Sequence, residues 1–434
     1  MSGQPPRPSQ FDWVQYEKDL EEERAANTIA HVRRRLQELE LKYQHLPPLP
    51  PQLPSPLYVM QGGDAPGYHD DDASRSFYRS CAEGDLESVR NFVDQCTPTP
   101  ADLSYALEEA CQNLQLDVVQ FLLRQSETQL HYRCFRRCIE YPEEDLAVKY
   151  SEMPSDAVSQ SIFTSGSPKL LNLLRILVDF GWHPNQLLGP LQRGKRRPIC
   201  PARQEVALHY PRCILDMDIL QFLLDAGADP TIGRDKDGDG YFSLAEQPVE
   251  RLKGHILEMA VNLGATEAVT LLVSRGAKPE YGISLHSLAR LKPDPAATKV
   301  MNEKYLQELR KETPEVKYPT LSTRFDMAQH LIDLGENINK VADVWRLVGP
   351  WVSMPTRSHD STALLHAKFC RDWDFVRWLL EKGADPGANP GPGFMQAYLI
   401  YPFGTKGEEI RRTYEEVEGT LEDIKRQVRQ PGQK

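Results

Sequence analysis

The sequence predicts an all-α fold built from repeated pairs of short helices. The main observation is a frame of 19 residues that recurs along the chain, most clearly at Leu208–Gly227, Leu257–Gly276 and Leu364–Gly383. In each copy an apolar anchor is followed 11 or 12 residues later by an apolar pair and then by two more apolar residues, a spacing typical of helices. A glycine closes each of these copies. Hydrophobic residues make up 40% of the chain, enough for a substantial core.

Each part of the frame has a physical role. The first helix carries a small residue three positions after the anchor, such as Ala260 or Ala367, so that neighbouring backbones can approach closely. The second helix carries an apolar stripe, and the closing glycine predicts a left-handed C-terminal cap. One helix pair cannot bury its own apolar face, so we expect the pairs to stack on one another.

The repeats resemble those of the ankyrin family. The resemblance is most specific at the two Gly-Ala-Asp-Pro sequences, residues 227–230 and 383–386, and weak at the family's Thr-Pro-Leu-His signature, for which Val206–His209 is the nearest match. It implies an ankyrin-type helical repeat solenoid over about residues 74–390. Seven copies fit the frame: Phe77–Cys96, Leu107–Ser126, Ile162–Gly181, Leu208–Gly227, Leu257–Gly276, Val316–Gly335 and Leu364–Gly383.

The connections between these copies vary from 11 to 40 residues, against about 14 in the 33-residue ankyrin period. The sequence therefore predicts constant helix pairs and extended finger loops between them. Insertions on one face of a solenoid commonly form its binding face.

Both ends of the chain lie outside the repeats. Residues 1–46 contain a predicted helix over 12–45, with the apolar stripe Ile29, Val32, Leu36, Leu39 and Tyr43. Residues 47–73 form a linker rich in Pro, Gly and Asp, whose Pro-x-x-Pro spacings suit either a spacer or a docking peptide. The N-terminal helix could dock on the repeats or self-associate as a short coiled coil. Residues 391–434 predict a C-terminal helical cap.

Composition and motifs favour protein–protein recognition without catalysis. The net charge of −11 argues against a general nucleic-acid binder, and no apolar run is long enough for a membrane span. The N-terminus lacks the layout of a signal peptide, which favours the cytoplasm, with the nucleus as a second compartment. No known catalytic motif is present. The chain is thus expected not to be an enzyme, although distant residues could assemble an active site.

Aromatic and arginine residues in the fingers are the predicted partner contacts, because such side chains often anchor interfaces. The first choice is the finger before Leu364, and the second is the finger before Leu208. The alternative is that the tryptophans pack under their own loops. The candidate contacts are Trp345, Arg346, Trp351, Trp182 and Arg196.

A calcium-responsive binding protein is the alternative function. Residues 235–246 resemble an EF-hand loop, in which calcium would take oxygen ligands from Asp235, Asp237, Asp239, the Tyr241 carbonyl and Glu246. The loop lacks an incoming helix and a paired second loop, so a structural turn is the expected role. No cofactor is otherwise expected. A zinc site at His131, Cys134 and Cys138 would need a fourth ligand that the sequence does not supply.

Overall fold

The computed structural model describes residues 41–51, 72–131, 133–135, 167–186, 205–233, 251–290, 314–343, 360–388 and 407–429, together with residues 34, 37, 38, 307, 310 and 311. The described part is predominantly helical, as predicted. Its α-helices, in chain order, are α1 (Asp72–Glu83), α2 (Leu86–Cys96), α3 (Pro100–Gln112), α4 (Leu116–Leu123), α5 (Ser167–Asp179), α6 (Pro211–Leu215), α7 (Met217–Asp225), α8 (His255–Asn262), α9 (Thr266–Ser274), α10 (Ser284–Arg290), α11 (Arg324–Asp333), α12 (Ala363–Phe369), α13 (Trp373–Glu381) and α14 (Gly407–Arg429). Short 3₁₀ turns cover Ala207–His209 and Pro279–Tyr281.

The turns within four of the helix pairs, α1–α2, α3–α4, α8–α9 and α12–α13, share one backbone geometry. The small residue after each anchor accepts a hydrogen bond from the backbone N–H five residues later: Gln115 donates to Ala110, Ala265 to Ala260 and Asp372 to Ala367, at 2.9–3.0 Å. The residue before each of these donors has positive φ, as at Leu114 (54°), Gly264 (75°) and Arg371 (57°). This tight turn reverses the chain and lays the second helix alongside the first.

Side-chain caps start several of these helices. Thr99 and Asp102 form a reciprocal capping box at the start of α3, where Pro100 occupies the first helical position. Asp85, Asp216 and Asp372 accept hydrogen bonds from the first turns of α2, α7 and α13. The caps satisfy N–H groups that have no partner within the helix.

A glycine follows the C-terminal end of five helices, α5, α7, α9, α11 and α13, as predicted. Gly181, Gly227, Gly276, Gly335 and Gly383 have φ between 91° and 103°. The N–H after each glycine donates to the carbonyl five residues back, as from Ala228 to Leu223 and from Ala384 to Leu379, both at 2.9 Å. This is the Schellman arrangement, and it requires a left-handed residue that glycine adopts at little cost.

Contacts between pairs follow chain order. First helices pack on first helices, α1 on α3 and then α6, α8, α10 and α12 in succession, while the second helices α2, α4, α5, α7 and α9 form a parallel row. The buried core runs along these contacts and includes Cys81 and Cys111, each fully buried. Helix α14 packs on α12 and α13 through the buried side chains of Val417, Leu421 and Ile424.

The helix pair predicted at Val316–Gly335 is wrong in its first half. Residues 317–320 are not helical, and the first helix of this pair is α10, which packs on α8, α11 and α12. Residues 291–323 are thus inserted inside the pair, so the length of the helix pairs is not constant. The segment Ile283–His286 matches the ankyrin-like signature about as well as Val206–His209 and could have indicated α10.

The end of this insertion crosses the turns of two earlier pairs. The N–H of Met217 donates to the Lys317 carbonyl, and the N–H of Ser322 donates to the Gly264 carbonyl, both at 3.0 Å. Leu321 forms an antiparallel bridge with Ala265 and packs on the core. The crossing brings the chain to the start of α11.

Two short strands flank the finger that precedes α12. Strands β1 (Ala342–Asp343) and β2 (Asp360–Ser361) pair antiparallel, with Ala342 opposite Ser361. The His286 ring donates from Nε2 to the Ser361 carbonyl at 2.8 Å. Burial lowers the pKa of His286 to about 4, so the ring is neutral at pH 7 and keeps this donor. The two ends of the finger therefore lie side by side.

Candidate partner-binding surface

The connections that follow the second helices line one edge of the row of helix pairs. We call this surface the inter-pair edge, and it comprises residues 182–186, 228–233, 277–283, 336–343 and 384–388. The turns within pairs lie at the opposite ends of the helices. The predicted fingers before Leu208, Leu257 and Leu364 start from the inter-pair edge, which makes it the candidate binding surface. Arg251, at the end of the second of these fingers, is counted with the edge.

Asparagine side chains join successive connections along this edge. The Asn185 Oδ1 atom accepts a hydrogen bond from the Asp229 N–H at 2.7 Å, and its Nδ2 donates to the Gly227 carbonyl at 3.0 Å. Asn339 Oδ1 accepts in the same way from the Asp385 N–H at 2.7 Å. Each asparagine lies four residues after a capping glycine. The connection after the preceding helix therefore fixes the geometry of each Gly-Ala-Asp-Pro turn.

A buried ion pair is attached to the first of these turns. The Arg251 guanidinium contacts the Asp229 carboxylate through Nη2 at 2.7 Å and Nε at 3.0 Å. Asp229 also accepts from the Thr231 N–H and hydroxyl through its other oxygen. The Arg251 side chain is only 9% exposed, so its position is set by this pairing.

The N-terminal segment lies across this part of the edge. We call residues 43–51 the N-terminal strap. The Tyr43 hydroxyl donates to the Arg251 carbonyl at 2.9 Å, and Arg251 Nη1 donates to the Pro47 carbonyl at 2.6 Å. Gln186 Nε2 donates to the Pro51 carbonyl at 2.6 Å, and Leu49 packs on the core. The sequence left two alternatives for the N-terminal helix, docking or self-association. The contacts of the strap fit docking.

The segment that begins at Pro47 was predicted as a linker. Its first five residues instead contact two connections that lie more than 130 residues away in the chain. Proline spacing indicated that a peptide-like segment was present, but no local pattern marked Gln186 or Arg251 as its binding residues. Sequence reasoning therefore missed both donors.

Trp182 does not lie on a free surface, so its predicted role as a partner contact is wrong. Its side chain is 2% exposed and stacks on Phe135, with ring centroids 4.2 Å apart. Trp182 directly follows Gly181, and the left-handed cap turns the chain back over the helix ends. The indole therefore packs inside, as the alternative interpretation of the tryptophans had it. Trp345, Arg346, Trp351 and Arg196 lie outside the described residues.

The proposed calcium ligands also lie outside the described residues. Across the parts of the chain that the structure describes, no three His, Cys, Asp or Glu side chains are grouped so that they could hold a metal ion. His131 and Cys134, which were considered for zinc, are both buried, with His131 Nε2 3.4 Å from the Cys134 Sγ atom and 3.0 Å from the Ser104 carbonyl. Cys138 is not among the described residues.

Burial alone would raise the pKa of the Cys134 thiol, but contacts with Cys111 and His131 outweigh it and lower the pKa. A lowered thiol pKa beside a histidine is also a feature of activated cysteine nucleophiles. Cys134 is fully buried between helices, so a substrate has no access to it in this structure.

A cavity lies between the last helix pair and α14. It is a cavity of about 200 Å³, lined by Thr362, Leu364, Leu365, Lys368, Asp385, Pro386, Ala388, Glu418, Leu421 and Lys425. Lys368 forms an ion pair with Glu418 across it. The ion pair joins α12 to α14, and we therefore assign this cavity to the attachment of α14.

Comparison with known proteins gives no further assignment. None of the helices in the described ranges is long and apolar enough to cross a membrane. No protein-family model matches the chain, and no curated protein matches it in sequence.

Proposed function

We propose that the protein is a non-catalytic, ankyrin-type repeat scaffold that binds a protein partner through its inter-pair edge. The observation that carries this proposal is the N-terminal strap, whose residues 47–51 lie outside helix and turn and are held on that edge by side-chain donors from two connections. A surface that holds one extended segment through its main-chain carbonyls has the chemistry to hold another.

Two further features support the proposal. The Schellman caps and turn geometry recur in successive pairs, which is the construction expected of an ankyrin-type solenoid. Long connections start from the same edge, and loops on a rigid scaffold commonly carry recognition residues.

The test is affinity capture from a native lysate with matched variants. The full chain and two single-site variants are immobilised, and captured proteins are identified by mass spectrometry. Gln186→Glu changes the inter-pair edge, while Thr266→Ala changes a turn at the opposite ends of the helices, where Thr266 Oγ1 donates to Ser322 Oγ at 2.7 Å. We expect a partner that the parent and Thr266→Ala retain and Gln186→Glu loses. A partner lost only from Thr266→Ala would place recognition on the other side of the molecule.

The calcium-responsive alternative is carried by the sequence Asp235–Glu246 alone. We expect that loop to be structural, with calorimetry at neutral pH showing no binding tighter than about 10⁻³ M, the weak end for such loops. A micromolar site that disappears in Glu246→Gln would instead establish calcium binding.

A further inference from the structure

The N-terminal strap and the edge beneath it are complementary in hydrogen bonding. Four of the five residues from Pro47 to Pro51 are prolines, which have no backbone N–H and offer only carbonyl acceptors. Two of these carbonyls, of Pro51 and Pro47, accept hydrogen bonds from Gln186 Nε2 and Arg251 Nη1. A segment that only shielded the helix ends from water would not need this match between carbonyl acceptors and side-chain donors.

Both donors are held in place by the repeats themselves. Gln186 Oε1 accepts from the His183 N–H at 2.9 Å, which aims the Nε2 group outward, and Asp229 holds the other nitrogens of Arg251. Gln186 is 5% exposed and Arg251 8% exposed. Both values hold with the strap in place. Because a buried donor without a partner costs about 1–3 kcal/mol, any segment that covers this pair must offer it carbonyl acceptors.

The strap itself buries little apolar surface, since none of its residues is fully buried. Pro47, Pro48 and Pro51 are exposed, and Leu49 is the strap side chain that packs on the core among the described residues. A segment with little buried apolar surface opens locally at low cost. The side chains of Gln186 and Arg251 are therefore held in place, whereas the strap can detach.

We propose that the N-terminal strap is an internal ligand, and that the edge at Gln186 and Arg251 is the binding site for an extended, proline-rich peptide of a partner. The partner must displace the strap, so the strap limits access to the site. This inference rests on the proposed function and names the chemistry of its partner. In a polyproline II conformation, which rises about 3.1 Å per residue, carbonyls four residues apart lie roughly 12 Å apart.

The experiment titrates a fluorescent peptide of residues 41–53 into the full chain and its variants, with binding measured by anisotropy. In the parent the tethered strap competes at an effective concentration on the order of millimolar. Leu49→Asp removes the apolar anchor of the strap and leaves the edge intact. We expect this variant to bind the peptide at least tenfold more tightly than the parent does.

The second arm adds Gln186→Glu to the Leu49→Asp chain. The carboxylate keeps the acceptor for the His183 N–H but places an oxygen against the peptide carbonyl. We expect at least a tenfold loss of affinity. A control peptide with the four prolines changed to alanine keeps every carbonyl but loses the preset extended shape, and it should bind more weakly.

Circular dichroism and thermal melting verify that each variant is folded, and Leu49→Ala replaces Leu49→Asp if the latter does not fold. Equal peptide affinity for the parent and the folded Leu49 variant, or no binding to either, would overturn the inference. If a captured partner still depends on Gln186 in that event, the proposed function stands and only the role of the strap is wrong.

Discussion

Arg324, the first residue of α11, forms a buried ion pair with Asp372, the N-cap of α13. Arg324 Nη2 lies 3.1 Å from Asp372 Oδ1, and a second contact joins Nη1 to Oδ2. The two side chains are 8% and 1% exposed, and the guanidinium also lies over the Phe375 ring. The pair links two successive second helices at the turns within their pairs.

Removing this carboxylate should be strongly destabilising. We expect Asp372→Ala to lower the free energy of unfolding by about 3–5 kcal/mol, because it leaves a buried guanidinium without its partner. Asp85→Ala is the matched control, since Asp85 caps α2 at the same place in the repeat but is exposed. Urea unfolding of both variants measures the difference, and equal losses would show that Asp372 acts only as a cap.

Trp182→Ala should destabilise the fold without specifically impairing partner binding. Loss of a buried indole that stacks on Phe135 is expected to cost about 3–5 kcal/mol. Phe180→Ala, two residues earlier, removes an aromatic ring that is 39% exposed and should cost much less. Thermal melting and partner capture on both variants decide this. Lost binding at unchanged stability of Trp182→Ala would restore the original contact prediction.

Gly254→Ala should be more harmful than Gly276→Ala, although only Gly276 has positive φ. A Cβ at Gly254 would lie 2.3 Å from the Gly282 Cα atom, so two backbones would have to separate. At Gly276 the space is open, and the cost is that of a left-handed alanine, roughly 1–2 kcal/mol. We expect a loss of about 3 kcal/mol or more for Gly254→Ala in chemical unfolding. A smaller loss than for Gly276→Ala would contradict this close approach.

Glu336 should make stability fall as the pH rises. Burial raises the pKa of this carboxyl from 4.5 to about 7, although Lys340 lowers it. A pKa that is raised in the folded state contributes stability below pH 4.5 and loses it as the pH rises through 7. The loss is about 3 kcal/mol at pH 8, at 1.36 kcal/mol for each unit.

The measurement is urea unfolding of parent and Glu336→Gln between pH 5 and pH 8. The variant should gain on the parent as the pH rises, because it has no charge to bury. Glu280→Gln, which removes an exposed carboxylate nearby, should follow the parent. Parallel curves for Glu336→Gln and the parent would show that Glu336 is ionised in the folded state throughout.

Removal of residues 1–56 should lower the melting temperature and leave the protein monomeric. The strap contributes the packing of Leu49 and hydrogen bonds to Gln186 and Arg251, and all of these contacts are lost. Calorimetry and light scattering measure the two properties. An unchanged melting temperature would mean that the docked strap adds no stability.

The sequence determined the parts of this protein that depend on local geometry. A glycine such as Gly227 or Gly383 reveals the helix end it caps, because few other residues adopt a left-handed conformation there at low cost. The apolar spacing reveals the buried face of each helix, because 3.6 residues per turn link sequence to side-chain direction. These two signals predicted the helical fold class and most of the helix pairs.

Only the tertiary structure decided which distant segments meet. Residues 317–322 cross two earlier turns through main-chain hydrogen bonds, which depend on shape more than on side-chain type. The N-terminal strap meets Gln186 and Arg251, whose side chains donate hydrogen bonds to its main-chain carbonyls. The same limit explains the errors at Trp182 and at the pair of α10 and α11. An aromatic residue in a connection looks the same in the sequence whether its side chain faces the core or the solvent. An inserted segment has no helical periodicity that would show that it lies within a pair. Such contacts form when the stacking of helix pairs brings distant segments of the chain together, and no local sequence pattern predicts them.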